Sequence, residues 1–204
     1  KIDLGSDFLN ALKEYIALDK EFQQAIRNGA TYNDFKDRFK AAREKVLKYN
    51  TQVQEINKYH ASAKDEANKT VYDVNNLPED VKEDLSLFGA DLINQMRRAV
   101  GMREVKSTTS SIKFANEVAD EYVKANFSWD DAMALNDAGG AGHYAKGINN
   151  VARRHGFATT SAKDEALGWQ YYENKTMIGG PYSPTYLAKG TISQIKERVY
   201  SSIV

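Results

Sequence analysis

The sequence predicts a mainly α-helical protein in which an N-terminal antiparallel coiled-coil hairpin precedes a second, largely helical domain. Two long stretches carry apolar residues at alternating spacings of three and four, which is the heptad pattern of helices packed along one seam. Glycine and capping residues separate these stretches. The chain has only three prolines, and none of them precedes Pro78, so long helices can form before that residue.

The hairpin is predicted from two seams of similar rhythm. The first seam contains Phe8, Leu12, Tyr15, Asp19, Phe22 and Ile26, and the second contains Phe35, Phe39, Ala42, Val46, Tyr49, Val53 and Ile56. Between them Gly29 suits the C-cap of the first helix, and Thr31 with Asp34 resembles a capping box for the second. We therefore expect antiparallel helices over residues 6–28 and 32 to about 60, with the seam residues buried against each other.

The two predicted helices differ in length. The second pattern continues weakly through His60, Ala63 and Ala67, which gives about 30 to 37 residues against about 22 in the first helix. The longer helix then lacks a mate over part of its length, unless chain before Lys1 or another molecule supplies one. Residues 1–74 are accordingly interpreted as the end of an extended stalk that can self-associate as a coiled coil. The alternative is a short appendage that packs against the following domain.

Residues 75–204 are predicted to form the second domain. Pro78 and the acids that follow it start a helix over residues 79–100, and Ser107 or Thr108 caps the next, whose inward face carries Ala115, Val118, Ala119, Tyr122 and Val123. A third helix is expected over residues 144–155, and a final one from about residue 191. The Gly-, Pro- and aromatic-rich residues 158–190 are expected to form loops with short strands.

Composition excludes several classes of function. The 28 basic and 28 acidic residues balance, so no global charge favours nucleic acid or an anionic membrane. No apolar run is long enough for a transmembrane helix. The chain has no cysteine, which excludes disulfides, thiolate catalysis and thiolate metal ligands.

The candidate site consists of one histidine and one glutamate in unusual surroundings. His143 follows the small residues 139–142 and precedes a helical run, and Glu173 ends the aromatic segment 168–173. Such a pair can share a cleft and act as a base with its orienting group, or as ligands of a divalent ion. The alternatives are that His143 only bonds backbone at a helix start and that Glu173 only pins its loop.

Four segments together resemble a known family. Residues 84–98, 114–122, 142–143 and 172–174 are similar to the CAP superfamily of cysteine-rich secretory, antigen five and pathogenesis-related proteins, and within it to the surface exclusion proteins of Gram-positive bacteria. The resemblance implies a CAP-like α-β-α sandwich over residues 75–204, carried on a coiled-coil stalk. It also implies a secreted, wall-anchored protein that meets a cell-surface protein or wall component.

The resemblance also implies roles for individual residues. Asn94 and Arg97 match the opening CAP helix, His143 matches the first cavity histidine, and Glu173 with Asn174 matches the family's Gly-Glu-Asn signature. Tyr172 stands where the family has glycine, and the second cavity histidine is expected beyond Val204. We therefore expect no tightly held metal in this chain, whereas a full domain would bind a divalent cation such as zinc through His143, Glu173 and that second histidine.

Three functions follow as hypotheses. The first, favoured by the resemblance, is an extracellular interaction module that limits cell-cell contact or conjugative transfer. The second is a CAP-type hydrolase, such as a protease, that uses a cleft containing His143 and Glu173; no motif ties a serine or threonine to this pair. The third is a structural spacer of the cell wall.

Overall fold

The computed structural model describes residues 1–175 and 186–204, and 64% of these described residues are helical, so the prediction of a mainly α fold is confirmed. The described α-helices are α1 Ser6–Arg27, α2 Lys36–Ile56, α3 Ala63–Ala67, α4 Glu79–Ala99, α5 Thr109–Ala125, α6 Trp129–Asp137, α7 Ala145–Arg154, α8 Ala162–Ala166 and α9 Ile192–Ile203. In the same described residues a 3₁₀ turn covers Tyr32–Asp34, and the strands are β1 Tyr72–Asp73 and β2 Lys189–Gly190.

The chain divides into two compact units. Unit 1 contains Lys1–His60, Ala90–Val105 and Ile203–Val204, and unit 2 contains Ala61–Gly89 and Lys106–Ser202. Helix α4 contributes to both units. The division into domains 1–74 and 75–204, which the sequence suggested, stays a prediction.

The hairpin of unit 1 packs α1 against α2 in antiparallel order. Phe22 of α1 meets Phe39 of α2 with ring centroids 5.2 Å apart, and Leu18 and Phe35 are buried beside them. On the exposed surface Glu21 pairs with Arg38, and Glu14 near the middle of α1 pairs with Lys45 farther along α2. The expected antiparallel pairing is confirmed, and supercoiling of the two helices stays a prediction.

The second helix of the hairpin is shorter than the sequence suggested. Helix α2 ends at Ile56 and has 21 residues against 22 in α1, so its predicted continuation to residue 60 and beyond is wrong. The buried Asn57 stops it: its amide nitrogen donates to the carbonyls of Val53 and Asp3, both at 2.7 Å, and its Oδ1 accepts the Asp3 N–H at 2.8 Å. The unmatched length that motivated a stalk is therefore absent, and the stalk itself stays a prediction.

The link between the two hairpin helices also differs in detail. Gly29 has a positive φ of 92°, as expected after a helix end. Thr31 and Asp34 do form a capping box, but it caps the start of the 3₁₀ turn. Helix α2 begins only at Lys36.

The core of unit 2 lies between α5 and α7. Val118 of α5 packs against Ile148 and Val151 of α7, and these two α7 side chains are fully buried. Helix α7 covers residues 145–154, close to the predicted 144–155. The acids Asp130 and Asp131 lie in the first turn of the nine-residue helix α6, where Asp131 forms a capping box with Ser128.

The strands of unit 2 pair antiparallel, with Tyr72 opposite Gly190 and Asp73 opposite Lys189. They form the only sheet within the described residues, so the α-β-α sandwich of the CAP family stays a prediction. The loop region predicted over 158–190 contains the short helix α8 as well as β2, and residues 176–185 of that region lie outside the described part of the chain.

Helix α9 is held by an ion-pair group of three residues, which we call the lysine triad (Lys196, Asp65 and Asp84). The Lys196 ammonium lies 2.6 Å from Oδ2 of Asp65 and 3.0 Å from Oδ2 of Asp84. Burial alone would lower the pKa of Lys196, but the hydrogen bonds and charges of the two carboxylates together raise it. The lysine therefore stays charged in the folded unit.

Candidate functional site

His143 and Glu173 meet directly in unit 2. The imidazole Nδ1 of His143 lies 2.7 Å from Oε2 of Glu173, and their side chains are 24% and 14% exposed. His143 comes from the loop before α7, and Glu173 from the loop after α8. The prediction that these two residues approach one another is confirmed, because their side chains are in hydrogen-bond contact although they are 30 positions apart in the sequence.

Two glycines let the loops approach so closely. A Cβ atom on Gly140 would lie 2.0 Å from the carbonyl oxygen of Leu167, and one on Gly168 would lie 2.0 Å from that of Ala141. Gly168 also has a positive φ of 81°. The two backbones are joined by the Ala141 N–H, which donates to the Leu167 carbonyl at 2.8 Å. Only glycine fits both positions, so the small-residue pattern of the sequence has a direct structural cause.

Gln170 fixes the loop that carries Glu173. Its Oε1 accepts the backbone N–H groups of Tyr172 and Glu173, both at 2.6 Å, and its amide nitrogen donates to the Glu173 carbonyl at 2.8 Å. The backbone of Glu173 is thus pinned by a neighbouring side chain. Its carboxylate is left free to bond His143.

Tyr122 of α5 determines where the protons lie. Its hydroxyl accepts the Tyr144 N–H at 2.9 Å, so its own proton points to Oε2 of Glu173 at 2.6 Å. Burial, and next the charge of Glu173, raise the pKa of Tyr122, which keeps the phenol neutral. The carboxylate then accepts from both neighbours. His143 therefore donates to the same oxygen through Nδ1–H.

Lys175 brings a cation to the same place. Its ammonium donates to the Gly142 carbonyl and lies 5.2 Å from the ring centroids of both Tyr122 and Phe127. Burial lowers the pKa of Lys175, and the charge of Glu173 opposes this effect. Aromatic faces favour a cation, so the rings compensate part of its lost hydration.

A large open groove, which we call the α5 groove, runs beside this cluster. It has a volume of about 800 Å³, and one face of α5 forms much of its wall. The lining residues are Val74, Asn75, Ser110, Ser111, Phe114, Ala115, Val118, Ala119, Tyr122, Val123, Asn126, Phe127, His155, Phe157, Tyr172, Glu173, Asn174 and Lys175. Glu173 lines the groove and His143 does not, so only one residue of the predicted pair belongs to this groove.

A second histidine and glutamate pair lies farther along α5, and its histidine, His155, lines the groove. His155 bonds Glu117 through Nε2, and the hydrogen bond from this imidazole lowers the pKa of the Glu117 carboxyl. The ring of Phe114 packs 5.3 Å from the His155 ring. The sequence did not predict this contact, because the 38 positions between the partners leave no local signal.

The other residues matched to the family have local roles here. The side-chain amide of Asn94 bonds both the N–H and the carbonyl of Val105, at 2.8 and 2.9 Å. Arg97 donates to the Arg103 carbonyl at 2.6 Å. These bonds hold the loop after α4 in unit 1. Asn174 lines the α5 groove of unit 2.

The residues present do not fit a bound metal ion. Zinc takes four ligands, and the pair of His143 and Glu173 supplies one ring nitrogen and a carboxylate whose Oε2 already accepts two hydrogen bonds. The Lys175 ammonium beside that carboxylate repels a cation. Over residues 1–175 and 186–204 no three His, Asp or Glu side chains are grouped as ion ligands. The metal role suggested for His143 and Glu173 therefore stays a prediction for a full domain only.

Comparison with known proteins gives no relative: no protein-family model, no curated protein and no solved structure matches the chain. Within the described residues, no helix is both long and apolar enough to cross a membrane.

Proposed function

We propose that this chain belongs to an extracellular cell-surface interaction module of the surface-exclusion type. It recognises a cell-surface protein or wall component and thereby limits cell-cell contact or conjugative transfer. The observation that supports the proposal is the α5 groove, which is open, largely apolar and about 800 Å³ in volume. The secreted, wall-anchored location belongs to the same proposal and rests on the family resemblance.

The groove has the properties of a binding surface. Ala115, Ala119 and Val123 point outward along α5, although their spacing is that of an inward face. A helix face of this kind normally packs against another element, and exposed apolar patches rimmed by polar groups mark interaction sites. The volume also falls in the range of about 300 to 1,000 Å³ that is usual for ligand sites.

A hydrolase is the second candidate, and one specific observation favours it. The hydrogen bonds of Tyr122 and His143 to Glu173 leave Nε2 as the imidazole nitrogen that would take a proton from an attacking water. Glu173 would orient the imidazole and stabilise it after protonation. Such a reaction would take place at His143, which lies outside the lining of the α5 groove.

An intact-cell mating or aggregation assay with the surface-anchored protein separates the two candidates. Ala119→Trp fills the groove without touching His143, and Ala125→Trp makes the same change on α5 outside the groove lining. A His143→Ala, Glu173→Ala double variant removes the dyad. The interaction module predicts loss of exclusion in Ala119→Trp alone. Loss in the double variant with Ala119→Trp still active would favour the hydrolase.

The double variant also removes partners of Tyr122, so its folding must be checked before its activity is interpreted. The two tryptophans, Trp129 and Trp169, both belong to unit 2, and their fluorescence reports the folding of the unit that carries the site. A double variant with native fluorescence and full exclusion would refute the hydrolase.

A further inference from the structure

The shape of the α5 groove limits what it can hold. Its lining on α5 extends from Ser110 to Asn126, which is about 24 Å at the helical rise of about 1.5 Å per residue. The groove has a volume of about 800 Å³ and is open to solvent. An extended chain of about eight residues, at about 3.1 Å each, spans this length.

The wall of the groove favours one extended conformation. Helix α5 satisfies its own backbone hydrogen bonds, so it offers no edge to which a β-strand could add. A polyproline II chain needs no such edge, because its backbone groups stay solvated. Three exposed asparagines along the groove, Asn75, Asn126 and Asn174, supply amide donors for its carbonyls.

An aromatic cluster near the start of α5 forms one part of the groove, and proline rings can pack against it. Phe114, Phe157 and Tyr172 lie with ring centroids 5.5 to 6.0 Å apart, and Phe157 is 51% exposed. Aromatic-lined grooves are the usual docking surfaces of proline-rich segments, whose conformation is already formed before binding. Tyr172, the residue that departs from the family's glycine, supplies one of these rings.

Lys175 lines a second part of the groove, beside Tyr122, where a carboxylate of a ligand would bind. Its ammonium has three N–H donors, one of which is used by the Gly142 carbonyl, and within the described residues it forms no ion pair. Glu173 is near enough for its charge to oppose the effect of burial on the pKa of Lys175, but the two side chains form no direct ion pair. The cation is therefore available to a carboxylate of a ligand.

We propose that the α5 groove binds an extended, proline-rich peptide segment that carries an acidic side chain. The aromatic cluster holds its prolines, and Lys175 pairs with its carboxylate. From Phe114 to Tyr122 the two parts of the groove are about 12 Å apart, which corresponds to about four residues at about 3.1 Å each. The inference rests on the proposed function and names the chemistry of its partner.

Calorimetric titration of the chain with short capped peptides tests the proposal. The probes are octaprolines in which one residue, near either the amino or the carboxyl end, is glutamate. A glutamine version removes the charge, and a glycine-serine version of the same length with the glutamate removes the preformed conformation. Palmitate serves as an acyl-chain probe of similar length and charge.

We expect one glutamate octaproline to bind the wild-type chain and the Ala125→Trp control, and to bind Ala119→Trp at least ten times more weakly. Lys175→Met should weaken the glutamate peptide roughly tenfold and leave the glutamine peptide unchanged. Lys175→Arg, which keeps the charge, should retain the binding. Tryptophan fluorescence confirms that each variant is folded.

Several results would overturn the proposal. They are an affinity weaker than about 1 mM for both octaprolines, equal binding to Ala119→Trp, or equal binding of the glycine-serine peptide. Tight binding of palmitate without peptide binding would assign the groove to an acyl chain instead. If the peptides fail while Ala119→Trp still abolishes exclusion on cells, this inference fails and the proposed function stands.

Discussion

Replacing Tyr122 by phenylalanine removes one oxygen atom and two hydrogen bonds from the candidate site. The bond to Glu173, at 2.6 Å, has an ionised acceptor, and such bonds contribute about 1.5 to 3 kcal/mol. The bond from the Tyr144 N–H, at 2.9 Å, is neutral and contributes about 1 kcal/mol. Water can reach this partly buried site and offset some of the loss. We therefore expect Tyr122→Phe to lower the free energy of unfolding by about 2 to 3 kcal/mol.

Urea titration followed by tryptophan fluorescence measures this change, since both tryptophans lie in unit 2. Tyr171→Phe is a matched control: Tyr171 is 66% exposed, and removal of its hydroxyl should change the free energy by less than about 0.5 kcal/mol. Equal effects of the two substitutions would refute the reasoning, because they would show that the Tyr122 hydroxyl bonds no more strongly than a solvated one.

Three further predictions concern charge and capping. Because burial and then the neighbouring carboxylate raise the pKa of Tyr122, the folded phenol keeps its proton after the unfolded one has lost it. The stability difference between wild type and Tyr122→Phe should thus be constant to about pH 10 and then fall by about 1.4 kcal/mol per pH unit in a pH series of urea titrations; a constant difference at higher pH would contradict this. In the lysine triad, Asp65→Asn should cost about 3 kcal/mol and Asp84→Asn less than about 1, because their side chains are 12% and 48% exposed; equal losses in the same titration would show that burial does not set the cost. Asn57→Ala removes three bonds of 2.7 to 2.8 Å and should destabilise the hairpin by about 2 to 3 kcal/mol, with faster hydrogen exchange of the Asp3 amide; unchanged exchange would mean that the cap contributes nothing.

The hairpin shows how far local patterns extend. The heptad spacing predicted both helices and their antiparallel packing, because the apolar face of a helix consists of residues three and four positions apart. It failed at the end of α2, where the pattern continues weakly but the helix stops at Ile56. The cause is the bond between Asn57 and Asp3, which are 54 positions apart and carry no shared local signal.

The candidate site divides in the same way. Glycines and an isolated histidine pointed to the pair of His143 and Glu173, because close backbone approach requires residues without a Cβ. Tyr122 was assigned only to an inward helix face, whereas its hydroxyl donates to Glu173 and accepts the Tyr144 N–H. The contact between His155 and Glu117 had no counterpart in the sequence reasoning at all.

The sequence by itself therefore determined the helices, most of their caps and the chemical types available to a site, since these depend on residues a few positions apart. Only the tertiary structure decided where α2 ends, which carboxylate meets which imidazole, and that the apolar face of α5 lines an open groove. Hydrogen bonds and desolvation depend on distances of a few ångströms between atoms from distant parts of the chain, and those distances exist only once the backbone has packed.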